Sequence, residues 1–309
     1  MRILLALDGS NPSLVARDLV AGLPWPADTT IHAVSAYQVP VDWTGGVGAT
    51  MAWVGDIDDA VRDEAADGLR SMAAPLVERG LAVEYHVARG RPADVIAAAA
   101  SDLGADLIVT GSRGRGPIRS MLLGSVAAEV AADAACSVLV ARGPAVSKLL
   151  VGTDGSPSAD CIPDRLASWQ AFRDTTADVV AVSVPDPPGF ELMVNLYGLS
   201  SERLAEVRHE GAARAQADAD RMAARLAEAG IAATAHVRAG DAAHQILDAA
   251  RDHGSDLIVT GSRGLGQLQR IVVGSVARNV LVHATCSVLV VRDAASHETR
   301  VDDYLEPGR

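Results

Sequence analysis

The chain has few aromatic residues and no long apolar run. Only 3% of its 309 residues are aromatic although 49% are hydrophobic, so the core must be built from Ala, Val, Leu and Ile. Such a composition suits a parallel sheet buried on both faces, whose strands read as apolar, β-branched runs. No apolar run approaches the roughly 20 residues that span a bilayer, and the N-terminal residues enter a strand pattern without signal-peptide features. We therefore expect a cytoplasmic protein that makes no membrane contact.

Positive charge and cysteine are also scarce. The chain has 27 Lys and Arg against 39 Asp and Glu, a formal net charge of −12, and Lys148 is its one lysine. Affinity for nucleic acid rests on clustered positive charge, so this composition argues against a nucleic-acid partner. The three cysteines show no metal-ligand or C-x-x-C spacing. Cys136 and Cys286 occupy matching apolar segments and are interpreted as small core residues.

An internal repeat organises the chain. Residues 101–142 and 251–292 align without a gap at an offset of 150, and 24 of the 42 positions are identical. Residues 5–10 match residues 151–156 at an offset of 146, so the second half carries four extra residues between these two segments. The period far exceeds a solenoid unit of about 20–50 residues. The repeat therefore indicates duplication of a whole domain.

Each half alternates strand and helix patterns. In the first half, apolar runs at 3–7, 31–37, 81–87, 107–110 and 137–141 are predicted strands, and 11–23, 57–77, 92–103 and 125–134 are predicted helices. The second half is expected to repeat this order. Alternating elements predict right-handed βαβ crossovers and an α/β fold. We expect two tandem, doubly wound, Rossmann-like parallel-sheet domains of about five strands, at 1–145 and 146–293, followed by a polar tail at 294–309.

A glycine loop is the sharpest local feature of the sequence. Its pattern is Gly111-x2-Gly114-x9-Gly124-Ser125, and it begins where the fourth predicted strand of the half ends. The second half repeats the pattern with Gly261, Gly264, Gly274 and Ser275. Glycines let the backbone approach an anion closely, and the helix N-terminus beyond Gly124, which Ser125 is placed to cap, offers free N–H donors. The pattern predicts a phosphate cradle.

A carboxylate follows the first predicted strand of each half. Asp8 and Asp154 precede matching glycines, at the edge of the sheet where open α/β folds bind ligands. Each carboxylate can reach a ribose hydroxyl or a bound Mg²⁺ ion. Arg113 and Arg263 can add positive charge beside the phosphates. The small residues that leave room next to the carboxylates are Ala6 and Gly152.

Other phosphate-binding loops and hydrolase motifs do not fit this sequence. A P-loop needs a lysine that neither glycine loop contains. The Rossmann pattern G-x-G-x-x-G would follow the first strand rather than the fourth, and there is no G-x-S-x-G elbow. His86 and His236 occupy matching strand positions without a Ser or Asp at useful spacing. We interpret both histidines as structural.

The G-x2-G-x9-G-[ST] loop after a buried strand, with an Asp at the end of the first strand, resembles the universal stress protein family over almost the whole chain. The resemblance implies five-stranded parallel α/β domains, ATP binding in members that carry the loop, and dimerisation through the last strand. In this chain the pairing strands would be 137–141 and 287–291. The fusion implies an intramolecular pseudo-dimer, and a homodimer of the whole chain stays open.

The resemblance also assigns site residues. The phosphate role is implied for the glycines and serine of each loop: Gly111, Gly114, Gly124 and Ser125, and Gly261, Gly264, Gly274 and Ser275. Backbone contacts are implied for Val126 and Val276, and the adenine pocket for Ala36 and Val184. The remaining loop residues in the expected ATP site are Ser112, Arg113, Arg115, Gly116, Ser262, Arg263 and Gly266. Arg115 is Leu265 in the second loop, so it is either a phosphate contact or a surface residue.

Three functions remain compatible with these patterns. In the first, ATP occupancy changes the protein's surface and so its contact with an unidentified regulatory protein partner. In the second, the chain is a slow ATPase or nucleotide-dependent phosphotransferase that uses a metal ion held by Asp8 and Asp154. In the third, the ligand is another adenine compound, such as a cyclic nucleotide or a flavin. No dedicated base for phosphoryl transfer stands out in the sequence, so binding is favoured over turnover.

Overall fold

The computed structural model describes residues 1–39, 51–114, 123–183, 201–262 and 273–292. The elements of the first half are β1 (Arg2–Ala6), α1 (Asn11–Gly22), β2 (Thr30–Tyr37), α2 (Met51–Glu78), β3 (Ala82–Arg89), α3 (Pro92–Asp102), β4 (Leu107–Gly111), α4 (Ser125–Asp133) and β5 (Ser137–Ala141). Those of the second half are β6 (Lys148–Thr153), α5 (Pro157–Asp160), α6 (Ile162–Trp169), β7 (Thr176–Ser183), α7 (Ser201–Glu228), β8 (Ala232–Ala239), α8 (Ala242–His253), β9 (Leu257–Gly261), α9 (Ser275–His283) and β10 (Ser287–Val291).

All ten described strands join one sheet in the order β3-β2-β1-β4-β5-β10-β9-β6-β7-β8. Within each half the neighbouring strands are parallel, for example Ile3 opposite Ile31 and Leu149 opposite Leu257. The predicted α/β class with five parallel strands per half is therefore confirmed. The helices that connect the parallel strands lie on both faces of the sheet.

Two apolar layers, one on each face of the sheet, hold the helices. Successive side chains of β1 point to opposite faces of the sheet, so Ile3 and Leu5 belong to one layer and Leu4 to the other. The first layer receives α1, α2, α6 and α7, and the second receives α3, α4, α8 and α9. The core is mostly aliphatic, as the composition predicts, but Trp169 and Phe172 are also buried in the first layer. Among the described residues, no helix combines the length and apolar character needed to cross a membrane.

The second half does not repeat the first in full. The single helix α1 corresponds to two shorter helices, α5 and α6, which meet at Cys161. Pro163 lies in the first turn of α6. A proline lacks the N–H that a continuous helix needs and clashes with the carbonyl four residues earlier, so the helix that starts at Pro157 cannot run on through this position. The expectation of an identical element order is wrong here.

The last strands of the two halves join the sheet at its centre. β5 and β10 pair antiparallel, with Leu139 opposite its repeat equivalent Leu289. This pairing relates the halves by a pseudo-two-fold axis and matches the strand pairing that the resemblance implied. Because β5 and β10 are antiparallel, the strands of the two halves run in opposite directions. The carboxyl ends of one half's strands therefore lie on the same side as the amino ends of the other half's strands, and two sites at the carboxyl ends would lie on opposite sides of the molecule.

Candidate functional site

The first component of the candidate site is the turn that follows β1. Gly9 has a φ of 76°, a left-handed conformation that glycine adopts without strain. The turn brings Ser10 back onto Asp8, whose Oδ1 accepts hydrogen bonds from the Ser10 N–H at 2.9 Å and the Ser10 hydroxyl at 2.6 Å. Ser10 also caps α1, because its hydroxyl oxygen accepts from the Ser13 N–H. The Asp8 carboxylate is thus fixed at the carboxyl end of β1.

The second component is the base of the glycine loop. Gly124 N–H donates to the Ser112 carbonyl at 2.7 Å, and Ser112 N–H donates to the Ala141 carbonyl at 3.1 Å. The second half repeats both bonds, from Gly274 to Ser262 at 2.7 Å and from Ser262 to Val291 at 3.0 Å. These bonds bring the two ends of each loop together beside the end of the strand. Both loops are therefore closed at their base in the same way.

Two loop glycines are needed for close approach in the first half. A Cβ on Gly114 would lie 2.7 Å from Asp8 Oδ2, and a Cβ on Gly124 would lie 3.1 Å from Arg113 Cα. The Ser10 hydroxyl, whose hydrogen goes to Asp8 Oδ1, also lies 3.3 Å from the Arg113 carbonyl oxygen. Neither glycine has the positive φ that excludes side chains, so space is the reason for glycine here. The structure brings Asp8, Arg113, Gly114 and Gly124 together.

Other predicted small residues are explained by packing. A Cβ on Gly111 would lie 2.5 Å from the Pro12 carbonyl carbon, and one on Gly261 would lie 2.6 Å from the Ser158 carbonyl oxygen. These glycines let α1 pack against β4 and α5 pack against β9. The space beside Gly152 is filled by the side chain of Ile246, whose Cδ1 lies 3.0 Å from the position of a Cβ. The expectation that Gly152 leaves room for a ligand is therefore wrong. The corresponding residue of the first half, Ala6, is buried in the second apolar layer.

The third component is the N-terminus of α4. Gly124, not Ser125, is the N-cap, because its backbone is extended while its carbonyl accepts from Ala128 N–H at 3.0 Å. Gly274 has the same role at α9. The expectation that Ser125 and Ser275 cap these helices is wrong: both serines are the first helical residues. No side chain caps either helix, so N–H groups of the first turn, which includes Val126 or Val276, can receive an anion.

The second half carries an acidic residue that reasoning from the sequence missed. Asp154 Oδ1 accepts from Ser156 N–H at 3.0 Å, which repeats the turn of the first half. The Asp218 carboxylate of α7 lies against the glycine of this turn, 2.6 Å from the position of a Cβ on Gly155. Asp218 is paired with Arg221 at 2.8 Å. In the first half the equivalent residue is Gly68, so aligning α2 with α7 would have revealed the difference.

Some predicted site residues remain untested by the geometry. Ala36 lies half-buried near the carboxyl end of β2, where it pairs with Ala88. Among the described residues, neither Asp8 nor Asp154 belongs to a cluster of three His, Cys, Asp or Glu ligand atoms. The predicted residues outside the described ranges are Arg115, Gly116, Val184, Arg263, Gly264 and Gly266.

Comparisons with known proteins agree with this architecture. The model of the universal stress protein family matches residues 1–142 and again residues 146–292. Universal stress protein MJ0531 of Methanocaldococcus jannaschii is 32% identical over 143 residues, 46% of this chain and 82% of that protein. Universal stress protein YxiE of Bacillus subtilis is 32% identical over 146 residues, 47% of this chain and 99% of that protein. A crystal structure of a universal stress protein from Archaeoglobus fulgidus has the same fold, with a TM-score of 0.63, 19% identity and coverage of 94% of this chain and 98% of that one.

Proposed function

The chain belongs to the universal stress protein family and carries two of its domains in tandem, and we propose that each domain binds one ATP molecule. The observation that carries the proposal is the meeting of three segments in the first half. Asp8 follows β1, Gly114 follows β4 and Gly124 precedes α4, and the absence of a Cβ at the two glycines lets these segments approach one another closely. A side chain at either glycine would push the segments apart and so disturb the site.

The N-terminus of α4 supports binding of the phosphates. The first N–H groups of a helix lack partners within the helix and carry a positive partial charge. No side chain caps this helix, so phosphate oxygens can accept those hydrogen bonds. Gly114 and Ser125 are both exposed, and the exposed Arg113 adds positive charge beside them. We assign the phosphates to this part of the site.

The Asp8 carboxylate supports binding of the ribose. Its Oδ1 is held by Ser10, and this leaves its Oδ2 oriented toward Gly114. A carboxylate in this position can accept a hydrogen bond from a ribose hydroxyl. If Mg²⁺ accompanies the nucleotide, one carboxylate together with phosphate and water oxygens suits its octahedral preference. Adenine would then lie near Ala36, with Asp154 and Val184 as the counterparts in the second half.

The position of the loop supports a regulatory role. Its ends are fixed by the bond between Ser112 and Gly124, whereas residues between them would contact the nucleotide. ATP can stabilise one arrangement of the loop only through contacts that differ between the empty and the occupied states. The loop surface would then differ between the two states, and a partner protein can distinguish them. We therefore assign the chain to binding and regulation, and leave turnover aside.

Mass spectrometry of nucleotide released from the purified chain tests the proposed ligand, and calorimetry on the stripped chain tests its affinity and stoichiometry. We expect released ATP and two ATP sites per chain. Release of a flavin or a cyclic nucleotide, with no calorimetric signal for ATP, would assign the site to another adenine compound. Absence of any released nucleotide and of any ATP signal would show that the loops are structural.

A further inference from the structure

Three side chains with metal-binding chemistry meet at the outer edge of the sheet in the first half. His32 is on β2 and lies opposite Glu84 on the edge strand β3. His86 follows two residues after Glu84, so both side chains point to the same face of the sheet. Parallel pairing of the two strands therefore places two imidazoles and one carboxylate side by side. His86 does have a partner, and this partner comes from the neighbouring strand and not from sequence spacing.

The distances between the three donor atoms suit a tetrahedral ion. His32 Nδ1 lies 3.1 Å from His86 Nε2 and 3.2 Å from Glu84 Oε2, and His86 Nε2 lies 3.9 Å from the same Glu84 oxygen. A tetrahedral zinc ion with bonds of about 2.0–2.1 Å holds its ligand atoms about 3.3–3.4 Å apart. Small side-chain rotations would bring all three atoms to that spacing. We propose that His32, Glu84 and His86 form a binding site for a divalent transition-metal ion of the zinc type.

The donor set selects the kind of ion. Imidazole nitrogen is a preferred ligand of zinc and its neighbours in the transition series, whereas Mg²⁺ and Ca²⁺ prefer oxygen ligands. Two imidazoles and a carboxylate make three protein ligands, which leaves the fourth tetrahedral position open. A cleft of about 690 Å³ between β3 and α3 is lined by His86, Val34 and Leu103. Of the three proposed ligands, His86 lines this cleft, so water can reach the site from the side of His86.

The electrostatics of the cluster also favour a metal ion. Two of the three proposed ligands are imidazoles, which bind a metal ion as neutral groups, and the third is a carboxylate. The Glu84 side chain is 60% exposed and can turn toward an arriving ion. Its negative charge offsets part of the positive charge of the ion.

A missing hydrogen bond at His32 limits the expected affinity for the metal ion. His32 Nε2 is buried and has no hydrogen-bond partner among the described residues. An ion bound at Nδ1 fixes the proton on Nε2, where metal-binding histidines normally donate to an acceptor. Leaving that N–H without an acceptor weakens the site by about ten- to a hundredfold. We therefore expect a site of moderate affinity, in which the ion exchanges fast enough for binding to reach equilibrium at each step of a titration.

The second half provides an internal comparison. Asp178 and His236 replace His32 and His86, and His253 of α8 comes close to the same carboxylate at 3.2 Å. However, the Lys148 ammonium also lies 3.2 Å from Asp178 Oδ2. An ion would have to bind next to this fixed positive charge or displace it. The second cluster is therefore already neutralised by the protein, and we expect metal binding in the first half.

The test is titration of the full, nucleotide-free chain with Zn²⁺ by calorimetry and with Co²⁺ by visible absorption, since tetrahedral Co²⁺ gives a distinct spectrum. We expect one ion per chain and a tetrahedral cobalt spectrum. His86→Ala should weaken binding by roughly a hundredfold and Glu84→Gln by roughly tenfold. His236→Ala, the matched variant in the second half, should bind as the original chain does. His86 and Glu84 are partly exposed, so both variants should keep their fold, and thermal melting without metal checks this.

Three results would overturn the proposal. The first is absence of Zn²⁺ and Co²⁺ uptake by the original chain at millimolar concentration. The second is uptake that stays unchanged in the folded His86→Ala and Glu84→Gln variants, which would place the ion elsewhere. An ion lost in His236→Ala but retained in His86→Ala would assign the site to the second half and would equally reject our assignment.

Discussion

Arg142 and Arg292 each reach across the junction between the two halves to the C-terminal turn of a helix in the other half. The Arg142 guanidinium donates to the carbonyls of Leu281 and Cys286, and the Arg292 guanidinium donates to those of Ala131 and Ala132. A cation at a helix C-terminus satisfies carbonyls that have no partner within the helix and complements their negative partial charge. The two arginines thus make reciprocal contacts around the pseudo-two-fold axis, beside the paired strands β5 and β10.

The first prediction concerns these arginines. Arg142→Ala should lower the free energy of unfolding by about 2–3 kcal/mol, because charged hydrogen bonds to buried carbonyls are lost. Chemical denaturation measures this change. Arg91→Ala is the control, since the Arg91 side chain is 65% exposed and its ion pairs should contribute less than about 1 kcal/mol. Equal losses in the two variants would show that the junction does not depend on Arg142.

The second prediction tests the glycine loop. Gly114→Val should abolish ATP binding in the first half, because the new side chain occupies the space next to Asp8 Oδ2. The backbone at Gly114 has no positive φ, but the clash would displace the Asp8 carboxylate from its hydrogen bonds with Ser10. The cost in stability should therefore be modest, about 1–2 kcal/mol. Calorimetry should then find one ATP site per chain where the original has two.

Gly143→Val is the matched control for this experiment. Gly143 also lacks a positive φ, and a Cβ there meets nothing within 4 Å. This variant should bind two ATP molecules and melt as the original chain does. If Gly114→Val also binds two with unchanged affinity, the phosphates do not approach the loop at that residue. The phosphate site would then have to be assigned to other residues.

The third prediction concerns the difference between the two sites. The Asp218 carboxylate lies beside the turn of the second half, where the first half has Gly68. A carboxylate repels the phosphates of ATP, although its ion pair with Arg221 reduces the effect. Asp218→Gly should therefore tighten the weaker of two ATP affinities by about three- to tenfold, measured by calorimetry. An unchanged or weaker affinity would indicate that Asp218 helps to bind the ligand.

The fourth prediction is a pH dependence at the start of the second half. Burial alone would raise the pKa of Asp256, but hydrogen bonds from the Ser147 hydroxyl and N–H and from the Lys148 N–H lower it. A carboxyl whose pKa is lower in the folded chain stabilises it above the unfolded pKa of about 3.9. That contribution is lost as the pH falls through the folded pKa.

Asp256→Asn should therefore lower the free energy of unfolding by about 1 kcal/mol at pH 7. The difference from the original chain should shrink as the pH falls from the unfolded pKa of about 3.9 through the lower folded pKa, below which both side chains are neutral. Urea denaturation across this pH range measures the effect. Asp94→Asn, at a largely exposed position, should show little change at any pH. A difference that is constant with pH would mean that hydrogen-bond geometry, and not the charge of Asp256, matters.

The sequence by itself determined the duplication, the alternation of strands and helices, and the place of the glycine loop. These features depend on local pattern: apolar runs define strands, and glycines mark the points where the backbone turns. The repeat with an offset of 150 by itself predicts that the two halves share one fold. The parallel strands within each half agree with the βαβ connections that the sequence predicts.

Only the tertiary structure decided which residues meet. Gly111 and Gly124 look alike in the motif, yet Gly111 packs against the Pro12 backbone while Gly124 caps a helix. Asp218 reaches the turn after β6 from a helix more than 60 residues away, and His32 and His86 come together through the register of two strands. Local pattern carries no information on such pairs, because strand register and helix packing are set by how whole faces bury their apolar side chains.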